Sequence, residues 1–169
     1  MVNTSFLIPV RNAAKTIQAA LHSVLSQSDP NFEVILINDG STDTTLDIVS
    51  QMADPRLRIF STKPKGLVHA LNFGLSKCAG KYIARMDGDD IAHPSRLALQ
   101  IPHLDEDPSC TVVDGQVEFF RENDPVLSGM VEYGRWINHI LAPEDFDKAF
   151  LIESPVVHPA ATFRKDFVL

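Results

Sequence analysis

Short apolar runs alternate with amphipathic segments along about the first hundred residues of the chain. Each run has the length of a buried strand, and residues 34–37, for example, are Val-Ile-Leu-Ile. Between the runs, apolar residues recur at the three- and four-residue spacing that places them on one face of a helix. Four such strand–helix units predict an α/β domain with a mainly parallel sheet and helices on both faces.

The apolar runs predict the positions of the strands. Pro9 is expected to end the first one, because proline has no N–H to donate within a sheet. Residues 161–164 are expected to form a late strand, whereas residues 125–141 fit no single pattern. The other strands are expected at residues 5–8, 32–37, 57–60, 82–86 and 111–113, and an extension of the last one to Phe120 stays open.

The helices are predicted from their apolar faces and from the residues at their ends. Ser41, Thr42 and Asp43 can cap the second helix. Gly80 is expected to end the third helix, and Pro94 to begin the fourth. The residues expected on the inner faces are Ile17, Leu21, Val24 and Leu25; Leu46, Val49 and Met52; Leu67, Leu71 and Leu75; and Leu97, Ile101 and Leu104.

Polar clusters follow the ends of the first four predicted strands, at residues 9–12, 38–43, 63–66 and 87–90. The carboxyl ends of parallel strands lie at one edge of a sheet, and ligands of open α/β sheets bind beyond that edge. We therefore expect the four clusters to form one site rather than four separate loops.

The cluster Asp87-Gly88-Asp89-Asp90 indicates a divalent cation. Three carboxylates in four residues repel one another unless they share a cation, and hard oxygen ligands suit Mg²⁺ or Mn²⁺. Such an ion would neutralise a diphosphate group. A solvated acidic turn is the alternative, but the position between an apolar strand and a helix begun by Pro94 favours the metal site.

Asp39 is the second residue expected to contact a ligand. A carboxylate at a strand end can accept a hydrogen bond from the imide N–H of uracil. The alternative is that residues 38–43 form only a turn and a helix cap, although capping does not require Asp39. Lys63 and Lys65 could meet phosphate oxygens and Arg11 could flank a base, unless these side chains are simply solvated.

Composition indicates one soluble domain that does not bind nucleic acid. The 169 residues are 44% hydrophobic and 22% charged, and no apolar run is long enough to span a bilayer or to form a secretory signal. The net charge of −7 argues against nucleic acid and means that a cation must accompany any bound diphosphate. Cys78 and Cys110 lack the spacing of a metal site, which predicts two buried thiols in a reducing, cytoplasmic compartment.

Together these motifs resemble those of the family 2 glycosyltransferases of the GT-A fold. Arg11 stands where the family usually has a tyrosine, so the contact with the base differs at that position. The resemblance covers nearly the whole chain in order, and the matching segments are residues 6–12, 34–43, 66–74, 80–90 and the His-Pro segment 158–165.

The resemblance implies inverting sugar transfer of the hexosyltransferase type from a nucleotide diphosphate sugar, with a UDP-sugar expected, to a saccharide or lipid-linked acceptor. Asp39 would hold the base, Asp87 would lie against the ribose and donor, and Mn²⁺ or Mg²⁺ would be the cofactor. The expected metal ligands are Asp87 and Asp89, and the expected nucleotide-binding residues are Pro9, Arg11, Asn12, Asp39, Lys65, Asp87 and Gly88.

The catalytic base of the family lies in a Glu-Asp motif downstream of the His-Pro segment, so we expect it after Leu169. Residues 1–169 would then be a single, incomplete GT-A domain that binds donor and metal but transfers sugar poorly or not at all. An association of the parent enzyme with the cytoplasmic face of the membrane stays open. Glu144-Asp145 follows Pro143 directly and is interpreted as a helix start. His158 precedes a proline on a loop and is interpreted as structural.

Two other functions stay open, and a third is disfavoured. A nucleotidyltransferase would carry a glycine-rich basic loop after the first strand, whereas residues 11–15 contain no glycine. A non-catalytic module that senses nucleotide sugars is also compatible with the sequence. A HAD-type phosphatase needs its Asp-x-Asp motif after the first strand, and here the motif follows the fourth.

Overall fold

The structure is a computed structural model that describes residues 2–121 and 124–168. Leu169, after which the catalytic base is expected, lies outside this part of the chain. The strands are β1 (Thr4–Val10), β2 (Phe32–Asp39), β3 (Leu57–Thr62), β4 (Tyr82–Arg85), β5 (Val112–Val113) and β6 (Thr162–Arg164). The helices are α1 (Ile17–Leu25), α2 (Thr45–Ser50), α3 (Leu67–Leu75), α4 (Arg96–Glu106), α5 (Ser128–Asn138), α6 (Pro143–Ala149) and α7 (Lys165–Val168), and a 3-10 helix spans His158–Ala160.

Within the described residues the strands form one sheet in the order β3-β2-β1-β4-β6-β5. The first four strands are parallel, and β6 runs antiparallel to β4 and β5. The mainly parallel sheet predicted from the sequence is therefore confirmed. β2 and β3 continue two residues beyond their predicted ends because they pair as far as Asp39 and Thr62. β5 ends at Val113, so the extension to Phe120 does not form.

Pro9 does not end the first strand as predicted, because β1 continues past it and pairs Pro9 with Ile37. On the other side of β1, the register with β4 stops at Leu7 opposite Arg85. The carbonyl of Leu7 accepts a hydrogen bond from Met86 on that side. Alternate residues of a strand face the same neighbour, so the nitrogen of Pro9 points to where β4 has ended. Its missing N–H therefore removes no hydrogen bond from the sheet.

Side chains of the central strands alternate between two apolar cores. Phe6 and Ile8 lie in the core covered by α1 and α4, and Leu7 lies in the core covered by α3. Helices therefore cover both faces of the sheet, as predicted. The predicted inner faces of α1 and α4 are confirmed by their buried residues, which include Ile17, Leu21, Val24, Leu97, Ile101 and Leu104.

The predicted inner faces of the second and third helices are wrong in part. Leu46 and Leu67 are 37% and 52% exposed, and the buried residues of α3 are Ala70 and Gly74. A Cβ atom on Gly74 would lie 2.3 Å from Cδ1 of Leu7. The helix α3 therefore lies so close to the sheet that small residues form the centre of its contact, while Leu71 and Leu75 pack beside them as predicted.

Residues 125–141, which fit no single pattern, contain α5. The last residue of this helix, Asn138, binds the backbone of the chain before it. The side chain of Asn138 accepts a hydrogen bond from the N–H of Val117 at 2.8 Å and donates one to its carbonyl at 2.7 Å. The predicted short helix begins at Pro143 as α6, and the predicted late strand forms as β6. β6 adds the antiparallel part of the sheet.

Two expectations from composition concern membrane-spanning segments and the burial of the cysteines. Across residues 2–121 and 124–168, no helix has the length and apolar character that crossing a membrane requires. Cys78 is buried as predicted, whereas Cys110 is only half-buried, and both thiols are free. Burial raises the pKa of Cys78 to about 11, which makes its thiolate scarce at neutral pH.

Gly80 does not end α3 as predicted, since that helix ends at Leu75. Gly80 lies directly before β4, where the chain passes very close to β1. A Cβ atom at this position would lie 2.6 Å from the nitrogen of Ser5 and 2.7 Å from the carbonyl carbon of Thr4. The glycine is thus needed for the approach of two neighbouring strands.

Gly80→Ala should lower the free energy of unfolding by about 2–3 kcal/mol, because the new methyl group meets backbone atoms that cannot rotate away. Urea denaturation of the purified chain measures this loss. Gly129→Ala in α5 is the matched control, since a Cβ atom there meets no described atom within 4 Å and alanine favours a helix. Equal losses in both variants would contradict the steric explanation.

Candidate functional site

The polar loops that follow β1, β2, β3 and β4 lie at one edge of the sheet, as the parallel pairing requires. Hydrogen bonds connect these loops to one another. The hydroxyl of Thr16 donates to the carbonyl of Gly88 at 2.9 Å and so joins the loop after β1 to the loop after β4. The structure therefore brings the four predicted clusters together.

Asn12 joins the loop after β1 to the loop after β2. Its Oδ1 accepts a hydrogen bond from the N–H of Thr42 at 2.8 Å, and its own N–H donates to Oγ of Ser41 at 3.0 Å. Its φ of 54° lies in the left-handed region, which asparagine tolerates better than most residues. The side chain of Asn12 is thus used to hold the edge of the site.

Two residues at the start of α2, Asp43 and Thr45, bind the loop after β1. Oδ1 of Asp43 accepts from the N–H of Thr45, and its Oδ2 accepts from the N–H of Ala14 at 3.1 Å. The hydroxyl of Thr45 accepts from the N–H of Ala13 at 2.8 Å. The N-cap of α2 is Thr44 and no side chain caps it, so the prediction of a cap from Ser41, Thr42 or Asp43 is wrong. Asp43 instead joins the start of α2 to the loop after β1.

Asp39 lies at the end of β2 and is 4% exposed. Its Oδ1 accepts from the N–H of Lys65 at 2.9 Å and from the hydroxyl of Thr62, and its Oδ2 accepts from the N–H of Gly66 at 2.8 Å. The hydrogen bond from Lys65 contributes most to lowering the pKa of Asp39 below its ordinary value, and the charge of Arg11 contributes least. Asp39 thus anchors the loop after β3 and keeps part of its acceptor capacity.

The acidic cluster after β4 gathers three carboxylates. Oxygen atoms of Asp87, Asp89 and Asp90 all lie within 4.8 Å of one another. Asp89 is exposed, and the other two are half-buried. Burial, followed by the charges of Asp87 and Asp89, raises the pKa of Asp90. The sequence-based expectation of Asp87 and Asp89 as ligands is compatible with this arrangement, to which the structure adds Asp90.

Arg85 is a residue of this site that the sequence reasoning missed. It is the last residue of β4, and its guanidinium binds the carboxylate of Asp87 through two contacts of 2.7 Å each. Its side chain is 10% exposed. The signal was present in the sequence, because an arginine interrupts an apolar strand two residues before the acidic cluster.

An open cleft of about 610 Å³ lies at the ends of β1 and β4. Lys15, which no motif singled out, lies in this cleft with Arg11, and both side chains are exposed. Asp39 and Lys65 are not among its lining residues, so the structure places them beside the cleft. Predicted site residues that line it are Pro9, Arg11, Asn12, Asp87, Gly88 and Asp89.

Arg96 attaches the His-Pro segment to the end of β4. Its guanidinium donates to the carbonyls of Arg85, Pro159 and Ala161 at 2.9–3.0 Å. Burial lowers its pKa to about 10, so it still carries its charge at neutral pH. His158 itself is exposed.

Three acidic residues outside the cleft have structural roles. Glu144 and Asp145 lie in the first turn of α6, which confirms their interpretation as a helix start. Asp114 accepts hydrogen bonds from the N–H groups of Val157 and Gly115, and burial raises its pKa. Asp114 was not singled out by any motif, and its role is visible only through these backbone contacts.

The donor set of the acidic cluster fits a hard divalent cation. Carboxylate oxygens are the preferred protein ligands of Mg²⁺ and Mn²⁺. The three groups converge closely enough for one ion to contact more than one of them. The exposure of Asp89 leaves room for phosphate oxygens and water to complete the coordination.

Comparison with known proteins identifies a family and a related protein. The sequence profile of the family described as Glycosyl transferase family 2 matches residues 5–168. An uncharacterized glycosyltransferase of Haemophilus influenzae is 33% identical over 156 residues, which are 90% of this chain and 48% of that protein. The chain thus spans about half the length of this relative.

Two solved structures share the fold over 98% of this chain. TarS of S. aureus, in complex with UDP-GlcNAc, has a TM-score of 0.71 and 22% identity, and the match covers 46% of that chain. The mannosyltransferase PcManGT from Pyrobaculum calidifontis, in complex with GDP-Man and Mn²⁺, has a TM-score of 0.70 and 20% identity over 45% of that chain. The GT-A type of α/β fold expected from the sequence is confirmed.

Asp39→Asn should lower the free energy of unfolding at neutral pH by about 2 kcal/mol, because an amide cannot accept all three hydrogen bonds that the carboxylate accepts. The loss should shrink in acid. Because the pKa of Asp39 is lowered from 3.8 in the folded state, the stability from its charge is complete above 3.8 and disappears as the pH falls through the lower value.

Chemical denaturation of Asp39→Asn and of the parent chain across this pH range measures the difference. Asp147→Asn, which changes an exposed carboxylate on α6, is the control and should match the parent chain. A loss of stability that is independent of pH would show that the charge of Asp39 does not hold the loop.

Proposed function

Because the chain belongs to Glycosyl transferase family 2, we propose that it binds a nucleotide diphosphate sugar at the carboxyl edge of its sheet, as donor for sugar transfer. The observation that carries this proposal is the convergence of Asp87 and Asp89 with the loop after β1 around one cleft. A diphosphate bound in an acidic protein needs a cation beside it, and this cleft offers carboxylates that can hold one.

We assign the cation, Mn²⁺ or Mg²⁺, to Asp87 and Asp89, with Asp90 close behind them. When bound, such an ion neutralises charge on a diphosphate leaving group. The presence of Mn²⁺ in the complex of PcManGT supports this assignment. Arg11 and Lys15 supply further positive charge at the same cleft.

The nucleotide is assigned to the loops beside the acidic cluster. Pro9, Arg11 and Asn12 would form the wall toward the base, and the backbone at Gly88 would lie against the donor. A Cβ atom at Gly88 would be 2.6 Å from Cγ1 of Val10, so only glycine lets this loop pack onto β1. Asp39 and Lys65, which lie beside the cleft, would contact the base and the phosphates.

A UDP-sugar is the proposed donor because Asp39 can accept a hydrogen bond from the imide N–H of uracil. UDP-GlcNAc in the complex of TarS supports the choice, and GDP-Man in the complex of PcManGT represents the alternative nucleotide. These donors differ in both the base and the sugar, and in this proposal the choice of base depends on Asp39.

The proposed reaction is an inverting, in-line displacement of the hexosyltransferase type. The oxygen of an acceptor hydroxyl forms a bond to the anomeric carbon while the bond from that carbon to the diphosphate oxygen breaks. A general base takes the hydroxyl proton. This assignment gives donor and metal binding to the described residues and gives the general base to none of them. The acceptor would be a saccharide or a lipid-linked acceptor.

Titration of UDP, GDP and dTDP, with and without Mn²⁺, tests the proposal. UDP with Mn²⁺ should bind most tightly, and Asp89→Ala should weaken this complex by about tenfold or more, because a charged ligand to the ion is lost. Isothermal titration calorimetry measures both effects, with Asp147→Ala as the control that leaves affinity unchanged.

Three outcomes would contradict parts of the proposal. Equal binding of the three nucleotides would remove the role of Asp39 in choosing uracil. Binding that does not depend on Mn²⁺ would remove the metal assignment. Release of pyrophosphate from a nucleoside triphosphate would instead identify a nucleotidyltransferase.

A further inference from the structure

We propose that Arg85 positions the carboxylate of Asp87 for the donor and balances the charge of the acidic cluster before a cation binds. This inference rests on the proposed function, because it concerns the same donor site. Arg85 would act through Asp87 and not by touching the nucleotide itself. It is therefore a positioning residue in this proposal.

The geometry of the pair supports a positioning role. Nη1 of Arg85 donates to Oδ2 of Asp87, and Nη2 lies against Oδ1, each at 2.7 Å. Two parallel contacts fix both the place and the plane of a carboxylate, which a single contact cannot do. The Asp87 side chain is 35% exposed, so its outer part still faces the cleft.

Burial of Arg85 shows that the pair is not an ordinary surface ion pair. A guanidinium that is 10% exposed loses most of its hydration and needs a carboxylate to offset that cost. Within residues 2–121 and 124–168, Arg85 alone donates a hydrogen bond to the side chain of Asp87. Asp87 therefore depends on Arg85 for its orientation.

A second ion pair in the same sheet has the opposite character. Arg58 contacts Glu33 at 2.8 Å, and Glu33 also accepts hydrogen bonds from Ser5 and from the N–H of Ala79. That carboxylate would keep its place without the arginine, and it lies near the start of β2, away from the carboxyl edge. Arg58 therefore provides a matched control for Arg85.

The charges around the cluster complete the argument. Three carboxylates within 4.8 Å of one another repel in the absence of a cation. Arg85 neutralises one of them, and the buried Arg96, which donates to the carbonyl of Arg85, adds a second positive charge behind the cluster. Arg85 and Arg96 thus offset part of the charge of the three carboxylates, and the negative charge that remains attracts a cation.

A double-mutant cycle with Arg85→Met and Asp87→Asn tests the proposal. Arg85→Met alone should weaken binding of UDP with Mn²⁺ by about tenfold, because Asp87 loses its orientation. In the Asp87→Asn background the same change should weaken binding by less than about twofold, because its target is gone. Arg85→Lys should be intermediate, since lysine keeps the charge but not the two parallel contacts.

Binding of Mn²⁺ alone, followed by electron paramagnetic resonance, separates positioning from ligation. Arg85→Met should weaken binding of Mn²⁺ alone much less than binding of UDP with Mn²⁺, because removal of a positive charge near the ion offsets the lost orientation of Asp87. Arg58→Met should leave both nucleotide and Mn²⁺ binding unchanged. An equal loss of affinity for Mn²⁺ alone and for UDP with Mn²⁺ would overturn the charge-balancing part of the proposal.

Thermal unfolding without ligand tests the pair independently of the nucleotide. Arg85→Met should lower Tm by about 3–6 °C in the parent chain and by much less in the Asp87→Asn background. Equal shifts in both backgrounds, or parental affinity of Arg85→Met for UDP with Mn²⁺, would overturn the role of Arg85 alone. Failure of the parent chain to bind any nucleotide would instead overturn the proposed function, and the donor role of Arg85 with it.

Discussion

β1 pairs in parallel with β2 on one side and with β4 on the other, and this pairing determines where the polar loops can lie. Parallel strands cannot be joined by hairpins, so each returns through a helix and each ends at the same edge. Neighbouring strands are about 4.8 Å apart. The strand pairing that forms the apolar core therefore also places the loop after β1 beside the acidic cluster after β4.

Contacts from side chains to backbone then convert this adjacency into a defined cleft. Asp39 holds the loop after β3 through two N–H groups, Asn12 holds the loop after β2, and Thr16 holds the loop after β4. Each contact joins two loops that are distant in sequence. Loss of one such contact would move a neighbouring loop, so residues beside the cleft can affect binding without touching the ligand.

Apolar periodicity was sufficient to predict the sheet, because it reports directly which residues are buried. It could not predict that β1 continues beyond its pairing with β4. For this reason the prediction that Pro9 ends β1 is wrong. Nor could it predict how closely α3 approaches the sheet, which decides that Ala70 and Gly74, and not Leu67, are buried. These outcomes depend on tertiary distances that no local pattern contains.

The site was predictable to the extent that its chemistry lies in side chains close together in sequence. The cluster from Asp87 to Asp90 is of this kind, whereas the anchoring of Asp39 depends on N–H groups 26 and 27 residues away. Arg85 is the intermediate case: its proximity to Asp87 is visible in the sequence, but only the two contacts of 2.7 Å show that the side chains are paired. A buried arginine in a central strand weakens the core unless an acid lies beside it. The acid that stabilises Arg85 is thereby held in one orientation, so the same ion pair serves the fold and the geometry of the cleft.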